Sequence, residues 1–78
     1  MEIELVIRDS CHSPELLESA DSIRVLIGLE HDFDDILDLC GATLDNVQLQ
    51  LIHRLWSDDD FPRRFVRVGE DLIITARD

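Results

Sequence analysis

Six aspartates in two tight runs carry the most conspicuous chemistry of the chain. Asp34, Asp35 and Asp38 follow one another at helical spacing, and Asp58, Asp59 and Asp60 are consecutive. Carboxylates grouped in this way can ligate a cation, share a proton, or meet a basic surface. A calcium loop needs alternating oxygen donors, a central glycine and a later glutamate, and neither run has that spacing. Nor is any acid in them paired so that one carboxyl has a reason to hold its proton, which general acid–base work would require. What remains is charge itself, used either to attract a basic partner or to keep a small protein in solution.

Cys11, His12, His31, Cys40 and His53 are residue types that bind zinc, but the close C-x₂-C or H-x₃-H pairs of a zinc site are missing. There is no glycine-rich phosphate loop and no serine elbow, and His12 adjoins Cys11, a placement from which neighbouring side chains seldom meet. The expectation is a non-enzymatic protein with no metal and no cofactor. Cys11 and Cys40 are far apart and no basic-then-apolar leader precedes them, so reduced thiols and a cytoplasmic setting are expected. No apolar run approaches the roughly 20 residues of a membrane span.

The net charge of −11 on 78 residues is concentrated in the middle of the chain. Residues 30–60 hold nine acids against one arginine, whereas residues 61–78 hold three acids against four arginines. A field of that sign repels nucleic acid and anionic membrane and draws in basic surfaces. At 45% hydrophobic, the chain is nonetheless too apolar for a disordered acidic tail and makes one domain over residues 1–78.

The elements that position these acids follow from apolar spacing. Residues 1–8 alternate, with Ile3, Leu5 and Ile7 on one side, and predict a half-buried strand. Ser13-Pro14 is a helix start, and Leu16, Ala20, Ile23 and Ile27 share a face, so a helix over 14–27 stopped by Gly28 is expected. The competing assignment ends that helix at Ala20 and makes 22–29 a strand on its β-branched Ile23, Val25 and Ile27. Asp32 is placed to cap a short helix over 33–40, with Phe33, Ile36, Leu37 and Cys40 inward, the aspartates outward, and Gly41 as a left-handed stop. A longer helix over 44–56, capped by Thr43, is the element the rest packs on. Its stripe of Leu44, Val47, Leu51 and Leu55 is flanked by Leu49, Ile52 and Trp56. Strands over 65–68 and 72–76 follow, joined by a turn at Gly69-Glu70 that suits type II′ or, one residue on, at Glu70-Asp71.

The expected fold is therefore α+β, with three helices on a two- to three-stranded antiparallel sheet in the order strand, helix, helix, helix, strand, strand. Two helices around Gly41 followed by a hairpin also have the outline of a winged helix. Against DNA binding, Leu37 stands where close helix packing asks for a small residue, and the second helix offers only His53 and Arg54 to phosphates. The functional expectation is an acidic interaction module or inhibitor that docks on a basic protein surface, such as that of a nucleic-acid-binding protein, with carboxylates standing in for phosphates. By analogy of size and charge, viral or plasmid inhibitors of host machinery are of this kind. Its contact residues are Asp34, Asp35, Asp38, Asp58, Asp59 and Asp60 with the apolar set Leu49, Ile52 and Trp56. The alternative is a structural subunit that forms a homodimer through that apolar set, its acids serving solubility only.

Overall fold

Along the chain, β1 (Glu2–Arg8), β2 (Glu15–Glu18) and β3 (Ser22–Ile27) precede α1 (Phe33–Cys40) and α2 (Asn46–Ser57), and β4 (Arg63–Val68) and β5 (Asp71–Ala76) close it. The computed structural model describes residues 2–77; Met1, expected to begin the first strand, and Asp78 lie outside them. The strands form one five-stranded mixed sheet in the order β2-β3-β1-β5-β4. β1 pairs parallel with β3, and every other pairing is antiparallel.

This is an α+β domain, but the described residues form two helices where three were expected and a sheet of five strands where two or three were expected. The difference lies in residues 14–27, which form the β2–β3 hairpin and not a helix. Leu16, Ala20, Ile23 and Ile27 fall at helical spacing by coincidence. Ile23, Val25 and Ile27 alternate on the face beneath the helices and are buried, and Leu26 is buried on the opposite face, the pattern of a strand in the interior of a sheet. The turn between the strands is closed by serine chemistry: the Ser19 hydroxyl accepts the Ser22 N–H at 3.2 Å, and the Ser19 N–H donates to the Ser22 carbonyl at 2.9 Å. The winged-helix outline fails for a related reason, since the β4–β5 hairpin is no free wing but one side of the central sheet.

The parallel β1–β3 pair arises without a crossover helix. After β1 the chain skips one position, runs down as β2 at the sheet edge, and returns as β3 in the gap. The 9–14 loop must therefore pass over the end of β3. A Cβ at Gly28 would run into the Cys11 carbonyl, so glycine is what lets that crossing close. Beside it, the Gly28 N–H donates to His31 Nδ1 at 2.8 Å and ties the loop that leads into α1.

Both helices begin in capping boxes. Asp32 and Asp35 exchange side-chain and backbone hydrogen bonds at the start of α1, as do Asp45 and Gln48 at the start of α2, so Asp45 and not Thr43 is the cap there. Gly41 ends α1 in right-handed geometry (φ −60°), not the left-handed stop expected, and a Cβ there would meet the Leu37 carbonyl at 2.6 Å. Val47 of α2, expected inside, is 76% exposed, and the helix packs on the sheet through Ile52 and Leu55. These residues, with Ile36, Cys40 and Leu44, cover Ile3, Leu5, Ile23, Val25, Ile27 and Ile74 of the sheet and form the core. The Gly69-Glu70 turn is settled by the closing pair Val68–Asp71 and by positive φ at Gly69 alone, as type II′ requires. No helix among the described residues is long and apolar enough to cross a membrane.

A candidate docking face on the helical layer

The two aspartate runs, alike in sequence, are used differently. Asp35 is the third residue of α1, and its carboxylate accepts the Asp32 N–H at 3.0 Å, so it serves the cap first. Asp34, in the same first turn, benefits from the positive end of the helix dipole. Asp38 does not: it lies in the last turn of α1, where the dipole is negative, one turn beyond Asp34, and that turn holds no basic residue. Asp34 and Asp38 are both exposed, with no ion-pair partner among the described residues.

The run after α2 is partly spoken for. Asp58 caps the helix and accepts the Asp60 N–H at 3.0 Å, forming a tight turn. Arg63 donates to the Leu55 carbonyl at 3.0 Å and to Asp59 at 2.9 Å, so one guanidinium neutralises both the helix C-terminus and an aspartate. Arg64 and Arg67, which could have shared that role, form no ion pair among the described residues. The Asp59 side chain nevertheless remains 98% exposed and Asp60 is exposed as well, so both stay open to a partner.

Between the acids lies an aromatic cluster that sequence reasoning did not assemble. The Phe33 ring meets His53 edge-on at 4.7 Å and lies 6.1 Å from Trp56, and the His53 and Trp56 rings are 6.3 Å apart. The signal was present as His53 and Trp56 one helical turn apart and Phe33 at the head of the acidic helix, but their meeting depends on how α1 and α2 pack. Along the outer side of α2 an open groove of ≈ 750 Å³ is lined by Phe33, Leu49, His53, Arg54 and Asp58 among others. Arg54 itself lies 5.5 Å from the Phe61 ring centre. Of the apolar contact residues expected, Leu49 and Trp56 are half-buried at this surface, while Ile52 is fully enclosed in the core and supports the face from behind.

The remaining reactive side chains do not converge. Cys40 is buried in the core, where desolvation pushes its thiol pKa up, and Cys11 donates to the Ser13 carbonyl at 3.0 Å in the crossing loop. Among the described residues no three His, Cys, Asp or Glu side chains come together as a metal site would need. On the far side of the sheet Arg8 makes a two-pronged pair with Asp71, at 2.6 and 2.8 Å. That hydrogen bonding, with the Arg8 charge, holds the Asp71 carboxyl below its ordinary value. Compared with family models, with curated proteins and with solved structures, the chain matches none of them.

Proposed function

We propose that the helical layer is a non-catalytic docking face for a basic surface of another protein, of the kind that nucleic-acid-binding proteins present, its carboxylates taking the place of phosphates. Asp34, Asp38, Asp59 and Asp60 supply the charge, and Phe33, Leu49, His53 and Trp56 supply an aromatic and apolar centre of the type that dominates binding hot spots. The observation that carries this reading is Asp38. Its helix dipole and its neighbour Asp34 both oppose it, each by a few tenths of a kcal/mol, the last turn of α1 holds no basic residue, and Asp38 makes no ion pair among the described residues. Such a carboxylate gains its counter-charge on docking. Self-association through Leu49, Ile52 and Trp56 is less well supported, because the central residue of that set is shut in the core.

The test is capture from lysate by the immobilised chain and by its Asp34→Asn/Asp38→Asn variant, each at low and high salt. Partners rich in arginine and lysine that elute with salt and are lost from the variant support the proposal, since screening weakens exposed charge contacts. Equal capture by the two proteins contradicts it.

A further inference from the structure

The sheet has a second surface that the docking face does not use. β4 is an edge strand, and three of the large apolar side chains exposed on the molecule lie in it: Phe65 at 52%, Val66 at 44% and Val68 at 58%. Its free backbone groups can be assigned. The Arg77 N–H donates to the Pro62 carbonyl, so the hydrogen-bonded pairs with β5 fall on the even-numbered residues of β4. The N–H and C=O groups of Arg63, Phe65 and Arg67 therefore face outward, paired with no strand among the described residues. An edge of this kind is a template for another strand.

We infer that this edge binds a second copy of the chain, β4 against β4, antiparallel across a two-fold axis at Val66. Three observations select that occupant and that register. Phe65 then faces Arg67 of the second copy, and each such pair exchanges both of its outward backbone hydrogen bonds. Val66 meets its own equivalent at the close, non-hydrogen-bonded position, where side chains approach best. No two arginines are directly opposed, whereas an axis at Phe65 would set Arg63 against Arg67.

The charge order along β4 fits the same symmetry. The strand begins with Arg63-Arg64 and ends in the turn Gly69-Glu70-Asp71. Antiparallel self-pairing lays the basic start of one copy beside the acidic turn of the other, at both ends of the interface. It also joins two apolar rows. On the sheet face away from the helices, Leu26, Val6, Ile73 and Val66 are cross-strand neighbours in one line, and the axis at Val66 continues that line into the second copy. The contact is isologous, so it closes at two copies.

Sedimentation equilibrium over a concentration series, with amide exchange followed by NMR, tests the proposal on the full chain. A reversible dimer is expected, with the Phe65 and Arg67 amides becoming protected as it forms and the Arg63 amide unchanged. Val66→Arg, at an exposed position, leaves the folded spectrum intact and raises the dissociation constant at least roughly tenfold, because it sets like charges face to face. Arg64→Glu or Glu70→Arg alone weakens the dimer, and the two together restore it. A monomer at every concentration overturns the inference, even if the edge takes up an extended peptide of another protein. So do growth into longer assemblies through β2, protection extending to Arg63, and a dimer indifferent to Val66→Arg.

Discussion

On its covered face the sheet buries Leu5, Val25 and Ile27 beneath Ile36, Ile52 and Leu55, whereas on the open face Val6 and Leu26 are nearly as dry, at 1% and 5% exposure, with no helix over them. What flanks Val6 is a pair of cross-strand ion pairs, Glu4–Arg24 on one side and Arg8–Asp71 on the other. Long arginine stems held in place by their charged ends shade an apolar neighbour. Around Leu26 the 9–14 loop helps, since Ser10, Cys11, His12 and Ser13 line a depression with it. One face thus excludes water by close packing of another layer, the other by paired charges. The charges follow the same division: Arg8 and Arg24 are matched with acids on the open face, while Asp34 and Asp38 are left unmatched on the helical side.

The contrast is open to test by deletion. Ile52→Ala should cost about 2–5 kcal/mol, because a helix-covered site collapses poorly around a lost side chain, and in a domain this small that approaches the whole stability. Trp56→Ala, half-exposed and in contact with two other rings, should cost about 2–3 kcal/mol. Val6→Ala should cost only about 1–2 kcal/mol, since it removes less apolar bulk and no packed layer covers the site. Urea titrations rank the three, and a Val6 cost equal to that of Ile52 would show the open face to be as rigidly packed as the covered one.

The faces should also differ in pH response. The Asp71 carboxyl is lowered in the folded state by the Arg8 hydrogen bonds and charge. Its contribution is therefore complete above the ordinary aspartate value of about 4 and is lost as pH falls through the depressed value. Melting temperatures of the parent and of Arg8→Met, which keeps the stem, should differ at neutral pH and converge in acid. Cys40 works at the other end. Burial raises its thiol pKa, so stability present below about pH 8.5 declines as the unfolded chain ionises above it, and Cys40→Ala should lack that decline. The smallest effect belongs to Asp34→Asn/Asp38→Asn, expected to shift stability by no more than about 0.5 kcal/mol, and upward if at all. A clear loss would mean that these aspartates are structurally paired.

The parts of the fold legible in the sequence were those where local signals agree. α1 spans 33–40 behind its Asp32 cap as expected, with Ile36 and Cys40 buried, although Leu37, expected inward, is 38% exposed. β1 and the terminal hairpin followed from alternation and from Gly69. Residues 14–27 went astray because helical spacing and β-branched alternation coexist there, and only burial on both sheet faces decides between them. Val47 was expected inside and Ile52 beside the stripe because the apolar arc of α2 covers more than half its circumference; which part of the arc faces the sheet is set by packing, and it is the Ile52–Leu55 side. At the candidate site, exposure of the α1 acids could be read from spacing. The Asp59–Arg63 pair and the Phe33–His53–Trp56 cluster could not, since the latter rests on helix packing and the former on where β4 enters the sheet.

The central claim, that docking belongs to the helical side, is most directly tested by following backbone and indole NMR signals while a short arginine-rich peptide is titrated in. Shifts confined to residues 33–38 and 49–60, including the Trp56 indole, and suppressed by added salt are the predicted result. Shifts spread evenly over the surface, or centred on the open face of the sheet, would contradict it.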